Sequence, residues 1–307
     1  MNITAIESFC LVVKLGSISK AAKELHISQP ALSLQIQELE HQLDATLLER
    51  SNRGVSPTEI GLLIYEYGQK LVTLSDNMKK EVARMNSIQT ELTVAASSTI
   101  GQYALPCTVY IFQQQFPDSK ITTKILNTRE AIELTLNGSV DFSILEGPIN
   151  TNDKLKLKNE GIVLQRIARD DLVIIAPYNQ HWADIEEISI HEFMNMKWVF
   201  REKGSGIRST IEAKLLQENM NPDQLKIEME LDQTSAIISS VESQRGLSML
   251  PRLAVKKELH YKTLKAIRVK EFLFYHTISL AYNPKKVKSD LATSFLQLLH
   301  SKERGFC

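Results

Sequence analysis

The chain has 307 residues, 43% hydrophobic and 7% aromatic, with 36 Lys/Arg balanced by 36 Asp/Glu, enough for two or three domains with their own cores. No apolar run approaches the length of a membrane span, and Met1-Asn2-Ile3-Thr4 leads into an amphipathic helix carrying Glu7, unlike a secretory leader, so a cytoplasmic protein is expected. Cys10, Cys107 and Cys307 are odd in number and scattered, which argues against a disulfide framework and a zinc site; no metal and no cofactor is expected.

The stretch Gly16 to Ser33 reads as two short helices joined by a tight turn. Ser17 or Ser19 caps the first, which buries Ala21, Ala22 and Leu25; the small alanines let a second helix cross closely. His26-Ile27 makes the turn, Ser28 caps again, and Pro30 falls in the first turn of the second helix, where its missing N–H costs nothing. Leu32, Ile36, Leu39 and Leu43 then form one buried stripe, leaving Gln29, Ser33, Gln35 and Gln37 off it. An amphipathic helical pair is the plain alternative. The paired Ser caps, the Ala-Ala step and the Gln-Pro helix start favour a DNA-reading helix-turn-helix, whose second helix enters the major groove.

Asn52-Arg53-Gly54-Val55-Ser56-Pro57 reads as a turn or short wing. Residues 1–61 hold five Lys/Arg against seven Asp/Glu, a formal −2, so phosphate contact falls to a local patch with Arg50 and Arg53 at its centre. The expected DNA-binding set is Ser17, Ser28, Gln29, Pro30, Ser33, Gln35, Arg50 and Arg53. Thr58 caps a long helix in which Ile60, Ile64, Tyr67, Leu71, Leu74, Met78, Val82 and Met85 recur near the 3.5-residue heptad period. Such a stripe serves a dimer seam, or else packs on the chain's own following domain.

Beyond Thr90, strands and helices alternate: strand Leu92 to Ala96, helix Tyr103 to Phe116, strand Ile121 to Leu126, helix Glu130 to Leu136 and strand Phe142 to Leu145. A second run from near Val163 has strand Asp171 to Pro177, strand Trp198 to Phe200, a helix to about Met220, strand Ile227 to Leu231, helix Thr234 to Gln244 and strand Ser248 to Leu250. Segments from about Leu264, with strand Thr277 to Ala281 and helix Lys288 to His300, return to the first subdomain. This alternation predicts two α/β lobes built on a mainly parallel sheet. The expected domains are 1–58, winged helix-turn-helix; 59–89, linker and dimerisation helix; and 90–307, effector-binding, with lobe I about 90–162 and 266–307 and lobe II about 163–265.

Ligands of such sheets gather at strand C-termini beside helix N-termini. Ala96-Ser97-Ser98-Thr99, Asn127-Thr128-Arg129 and the run Arg201 to Arg208 are donor-rich loops at such ends, suited to a small anion. Helix capping is the plain reading for at least half of these hydroxyls. Glu146 at a third strand end could bind a cationic group or pair with an Arg.

The chain resembles the LysR-type transcriptional regulators at Phe9, Gly16-Ser17, Ala21-Ala22, Leu25, Ile27 to Ser33, Ile36, Leu39-Glu40, Leu43, Leu47-Leu48-Glu49-Arg50, Thr58 and Gly61. It departs from them at Leu34, where many members carry Arg, and at Leu48, where Phe is usual. The resemblance implies an N-terminal winged helix-turn-helix, a linker helix that pairs subunits into a homodimer or homotetramer, and a two-lobed periplasmic-binding-protein-like domain. The two-fold symmetry of paired subunits then makes the expected partner double-stranded DNA carrying an interrupted palindrome. Ser97, Thr99, Thr128, Arg201 and Ser205, with Ser98, Gly204 and Arg208, would bind the effector. The segments Ser98 to Pro106 and Arg201 to Arg208 are similar to regulators of sulfur assimilation and of carbon fixation, which narrows the effector to small anions.

Other classes fit less well. The seven histidines show no metal-ligand spacing, Gly204-Ser205-Gly206 lacks the nucleophile-elbow frame, and no catalytic residue is assigned, against a two-lobed enzyme. A solute-binding protein would not carry the helical module. Residues 251–307 hold twelve Lys/Arg against four Asp/Glu, either a solvated face or a contact for DNA or RNA polymerase.

Overall fold

The computed structural model describes residues 2–51, 54–85 and 90–306, without the side chains of 50–51, 80–81 and 83–85. The chain divides into two compact units, Met1–Ser87 and Ile88–Cys307.

The first unit contains α1 (Ile3–Leu15), α2 (Ile18–Glu24), α3 (Gln29–Leu43), β1 (Leu48–Ser51), β2 (Gly54–Pro57) and α4 (Glu59–Met85). Ser17 caps α2 and Ser28 caps α3, their hydroxyls accepting from the Lys20 and Ala31 amides at 3.3 Å, and His26 takes a left-handed φ of 56° in the turn between. Phe9 and Val12 of α1, Ala21 of α2, and Leu32 and Ile36 of α3 are wholly buried together, each large side chain contributing about 1.5–3 kcal/mol. β1 and β2 form the expected wing, an antiparallel hairpin pairing Leu48 with Pro57. Glu40 ties it to α3 by accepting from the amides of Leu47 at 2.7 Å and Leu48 at 3.2 Å. Thr58 caps α4 by accepting from the Gly61 amide at 2.9 Å. A Cβ on Gly61 would come within 2.0 Å of the Leu47 carbonyl oxygen, so only glycine lets α4 start there.

The second unit opens with β3 (Glu91–Ser97), α5 (Ser98–Tyr103), α6 (Leu105–Gln115), β4 (Lys120–Leu126), α7 (Thr128–Leu136), β5 (Phe142–Glu146) and α8 (Thr151–Asn159). The single helix expected from Tyr103 to Phe116 is two, broken at Ala104, because Pro106 lacks an N–H and its ring would strike the carbonyl four residues back in a continuous helix. β3 pairs in parallel with β4 and β5. Val94 and Ala96 point into one core and Ala95 into another, since helices cover both faces of the sheet.

There follow β6 (Val163–Pro177), β7 (Glu187–Ile188), α9 (Ile190–Asn195), β8 (Lys197–Arg201), α10 (Gly206–Gln217), β9 (Lys226–Leu231), α11 (Thr234–Glu242), β10 (Ser248–Pro251), α12 (Lys256–His260), β11 (Leu264–Val269), β12 (Tyr275–Tyr282) and α13 (Asp290–His300). Short 3-10 turns occupy Pro222–Gln224 and Arg252–Val255.

Three further expectations need correction. The strand read from Asp171 is the second half of β6, a 15-residue strand whose first half pairs with β12 and whose second half pairs with β10 and β11; Arg166, Arg169 and Asp170 interrupted its apolar signal. β11 contributes Leu264, Ile267 and Val269 to the second lobe's core, so the chain returns to the first lobe with β12 and not at residue 266. The sheets are mixed and not mainly parallel, because β12 runs against both β5 and β6.

Candidate functional site

In the first unit, α3 presents Gln29, Pro30, Ala31, Leu34 and Gln37 as exposed residues and Ser33 as half-buried. The Ser19 hydroxyl donates to Gln29 Oε1 at 3.0 Å and so orients that side chain at the start of α3. Ser17 and Ser28 are engaged as caps. Gln35 is half-buried, and its Oε1 accepts from the Ser8 hydroxyl at 3.1 Å, which turns it toward α1. The Arg50 side chain and all of Arg53 lie outside the described residues. Along α4, Ile60, Leu63, Tyr67, Leu71, Leu74, Met78 and Val82 are exposed, while Ile64 packs on the helix-turn-helix core. Met85, the last member of the stripe, has its side chain outside the described residues.

In the second unit the candidate effector residues converge where the two lobes meet. Ser97 ends β3 and Ser98-Thr99 opens α5; Thr128 opens α7 after β4; Arg201 ends β8, and Ser205 precedes α10. All six of these residues are buried, as is Arg208. Arg201 joins the lobes: its Nη2 donates to the Ser98 hydroxyl at 3.3 Å and its Nη1 to Thr234 Oγ1 at 3.1 Å. Its charge is met by Glu202, through Nε to Oε2 at 2.9 Å and Nη2 to Oε1 at 3.1 Å. A second link runs from Gln102 Nε2 to Gln233 Oε1 at 3.2 Å. Arg208 pairs with Glu212 and holds the Arg201 carbonyl at 3.3 Å, so it supports Arg201 from behind.

Capping separates these hydroxyls. Asn127 and Glu130 form a capping box on α7, leaving Thr128 Oγ1 to donate to the Glu146 carbonyl at 3.0 Å. Ser97 and Ser205 stand at the N-cap positions of α5 and α10 and make no side-chain cap bond. The first amides of α10 therefore keep their donors, beside Gly204, whose φ of +96° faces open space. Thr99 is fully buried with its hydroxyl unpaired.

Beneath these donors lies a cluster of titratable groups. Glu146 Oε2 accepts from the Thr99 amide at 3.3 Å, whereas Oε1 has no hydrogen-bond partner and lies 3.8 Å from His276 Nε2. The β6–β12 register sets His276 opposite Asp170. Burial raises the Glu146 pKa, against the pull of Ser97, Arg201 and Thr99. Burial likewise raises that of Asp170, opposed by His276, and drives His276 down to about 4, opposed by Asp170. Burial outweighs the charge partners in all three.

Gln102, Glu202, Gln233, Thr234 and His276 were not singled out for this site from the sequence. Thr234 carried a usable signal, since it opens a helix just after a strand as Ser98 and Thr128 do. His276 carried none, being one imidazole in β12, far in sequence from Glu146 and Asp170.

A winged helix-turn-helix, a long helix with an exposed apolar stripe, and a two-lobed α/β unit with a donor-lined junction define a ligand-responsive DNA-binding regulator. The model of the bacterial regulatory helix-turn-helix protein, lysR family, matches residues 3–62, and the LysR substrate binding domain matches residues 86–304. The chain belongs to the LysR family of transcriptional regulators, and it is not an enzyme.

Among curated relatives, a probable RuBisCO transcriptional regulator of Synechocystis sp. is 32% identical over 283 residues, covering 92% of this chain and 81% of that protein. One from Gracilaria tenuistipitata var. liui is 30% identical, covering 92% and 91%. Full-length CbnR, a LysR family transcriptional regulator, shares the fold at 19% identity with a TM-score of 0.71, covering 99% of each chain. The Synechocystis PCC6803 CcmR regulatory domain, solved in complex with 2-PG, has 22% identity and a TM-score of 0.59, covering 69% of this chain and 96% of that one. Among the described residues no helix is long and apolar enough to cross a membrane.

Proposed function

We propose that this regulator binds an interrupted DNA palindrome as a homodimer or homotetramer, under control of a small anionic metabolite held between its two lobes. The observation that carries the effector reading is the start of α10, where Ser205 makes no side-chain cap bond, close to the buried Arg201 that reaches Ser98 of the other lobe. Free amides, an unpaired Thr99 hydroxyl and a buried guanidinium all donate, which suits a carboxylate or phosphate. The 2-PG bound by the CcmR regulatory domain supports the same class of ligand. The names of the relatives point to genes of carbon fixation as targets. The anion acts by binding one arrangement of the lobes better than another, since only differential affinity shifts an equilibrium.

On the DNA side, Gln29, Pro30 and Ser33 at the start of α3 would meet base edges, with Arg50 and Arg53 on phosphates. The apolar stripe of α4 would pair subunits. Residues 1–58, 59–89 and 90–307 would act as DNA-reading, pairing and sensing parts, and RNA polymerase would be met by the assembled complex. Thermal-shift titration of the full chain with 2-PG and a panel of carboxylated and phosphorylated metabolites tests the effector. A ligand at a hundred times its Kd should stabilise by about 2.7 kcal/mol. Absence of any shift across the panel would remove the anionic reading.

A further inference from the structure

The outward face of α3 is apolar at its centre. Leu32, Ile36 and Leu39 are buried at 1% exposure or less, whereas Leu34 is 65% exposed. At about 100° per residue, Leu34 stands about 200° round the helix from Leu32 and so points directly away from the core. Pro30 and Ala31, one turn earlier, are exposed on the same side. A lone exposed leucine is ordinary on a protein surface. This one occupies the face that a recognition helix turns into the major groove, between Gln29 and Ser33 on one side and Gln37 and Glu38 beyond it. Leu34 has no donor or acceptor for a base edge, and the groove offers one apolar feature, the 5-methyl group of thymine. The module's formal charge of −2 over residues 1–61 leaves more of the binding to groove contacts.

We propose that Leu34 reads a thymine 5-methyl group in each half-site, so that this chain specifies thymine by an apolar contact at the centre of α3. The proposal rests on the reading that α3 enters the major groove. The test selects preferred duplexes from a random pool with the full-length protein, then replaces each thymine of the selected site by uracil, which lacks only the methyl group. The expected result is one position per half-site where uracil weakens binding about fourfold, the worth of one buried methyl. Leu34→Ala, exposed and so expected to fold, should bind the thymine site correspondingly less tightly and bind thymine and uracil sites alike. Equal tolerance of uracil at every position would overturn the proposal, as would thymine preference that survives in Leu34→Ala and so belongs to Pro30 or Ala31. A pool from which no sequence is enriched would overturn the groove placement of α3, and the proposal with it.

Discussion

A Cβ on Gly206 would lie 2.2 Å from the carbonyl oxygen of Glu146, so the end of β5 in one lobe meets the start of α10 in the other backbone to backbone. The same carbonyl accepts from Thr128 Oγ1, and the same stretch of α10 carries the uncapped amides. The contact between the lobes and the candidate anion site therefore share Gly206.

Gly206→Ala inserts a methyl group where the nearest neighbours are backbone and cannot rotate away. The variant should lose about 1–3 kcal/mol, the usual cost of overpacking, read as a lower Tm of the second unit's transition. A Tm equal to wild type would show that the contact opens freely in solution.

The buried titratable cluster gives stability opposing pH limbs. His276 is held neutral with a pKa near 4 against an ordinary 6.5. Its contribution is present above 6.5 and is lost as pH falls from there through about 4, a change of up to about 3 kcal/mol. Glu146 is raised, so the stability of its neutral form is present at low pH and lost as pH rises through its folded value. Urea denaturation across this range should show a flatter acid limb in His276→Gln and a flatter limb on rising pH in Glu146→Gln. Slopes unchanged by either variant would remove these groups from the account.

Leu74 is 63% exposed in the single chain, in the middle of the α4 stripe. Leu74→Glu should convert the assembled protein to a smaller species in sedimentation analysis and weaken DNA binding, with the helix-turn-helix core intact. An assembly of unchanged mass would place the subunit contact elsewhere.

Gln29 is oriented by Ser19 at the first position of α3. Gln29→Ala should cost about 1–3 kcal/mol of discrimination between specific and random DNA, the usual worth of a bidentate base contact. Competition assays at fixed salt would measure it, and equal discrimination would mean that Gln29 faces only phosphate.

The sequence foretold local grammar well: Ser17, Ser28 and Thr58 are caps, and Gly54 to Pro57 is one strand of a wing. Long-range pairing was harder to read. The continuity of β6 was hidden by its charged, largely exposed first half, and the second-lobe place of β11 depends on partners distant in sequence. At the effector site the strand-end hydroxyls were visible, because strand-to-helix transitions announce themselves. Glu202 and Glu212 stand one and four residues from the arginines they meet, whereas Glu146, Asp170 and His276 come together only through strand register. Gln35 lay off the apolar stripe in sequence, yet its neighbour Ser8 on α1 draws it inward.

The central claim is that an anion seated beside Arg201 controls DNA binding. The most direct measurement is calorimetric titration of the full-length wild type and of Arg201→Ala with carboxylated and phosphorylated metabolites, alongside DNA affinity of both proteins without ligand. The account predicts a metabolite that binds wild type, loses at least tenfold in affinity with Arg201→Ala, as loss of a charge-assisted bond requires, and shifts DNA affinity only in wild type. Equal metabolite binding by both proteins would contradict it.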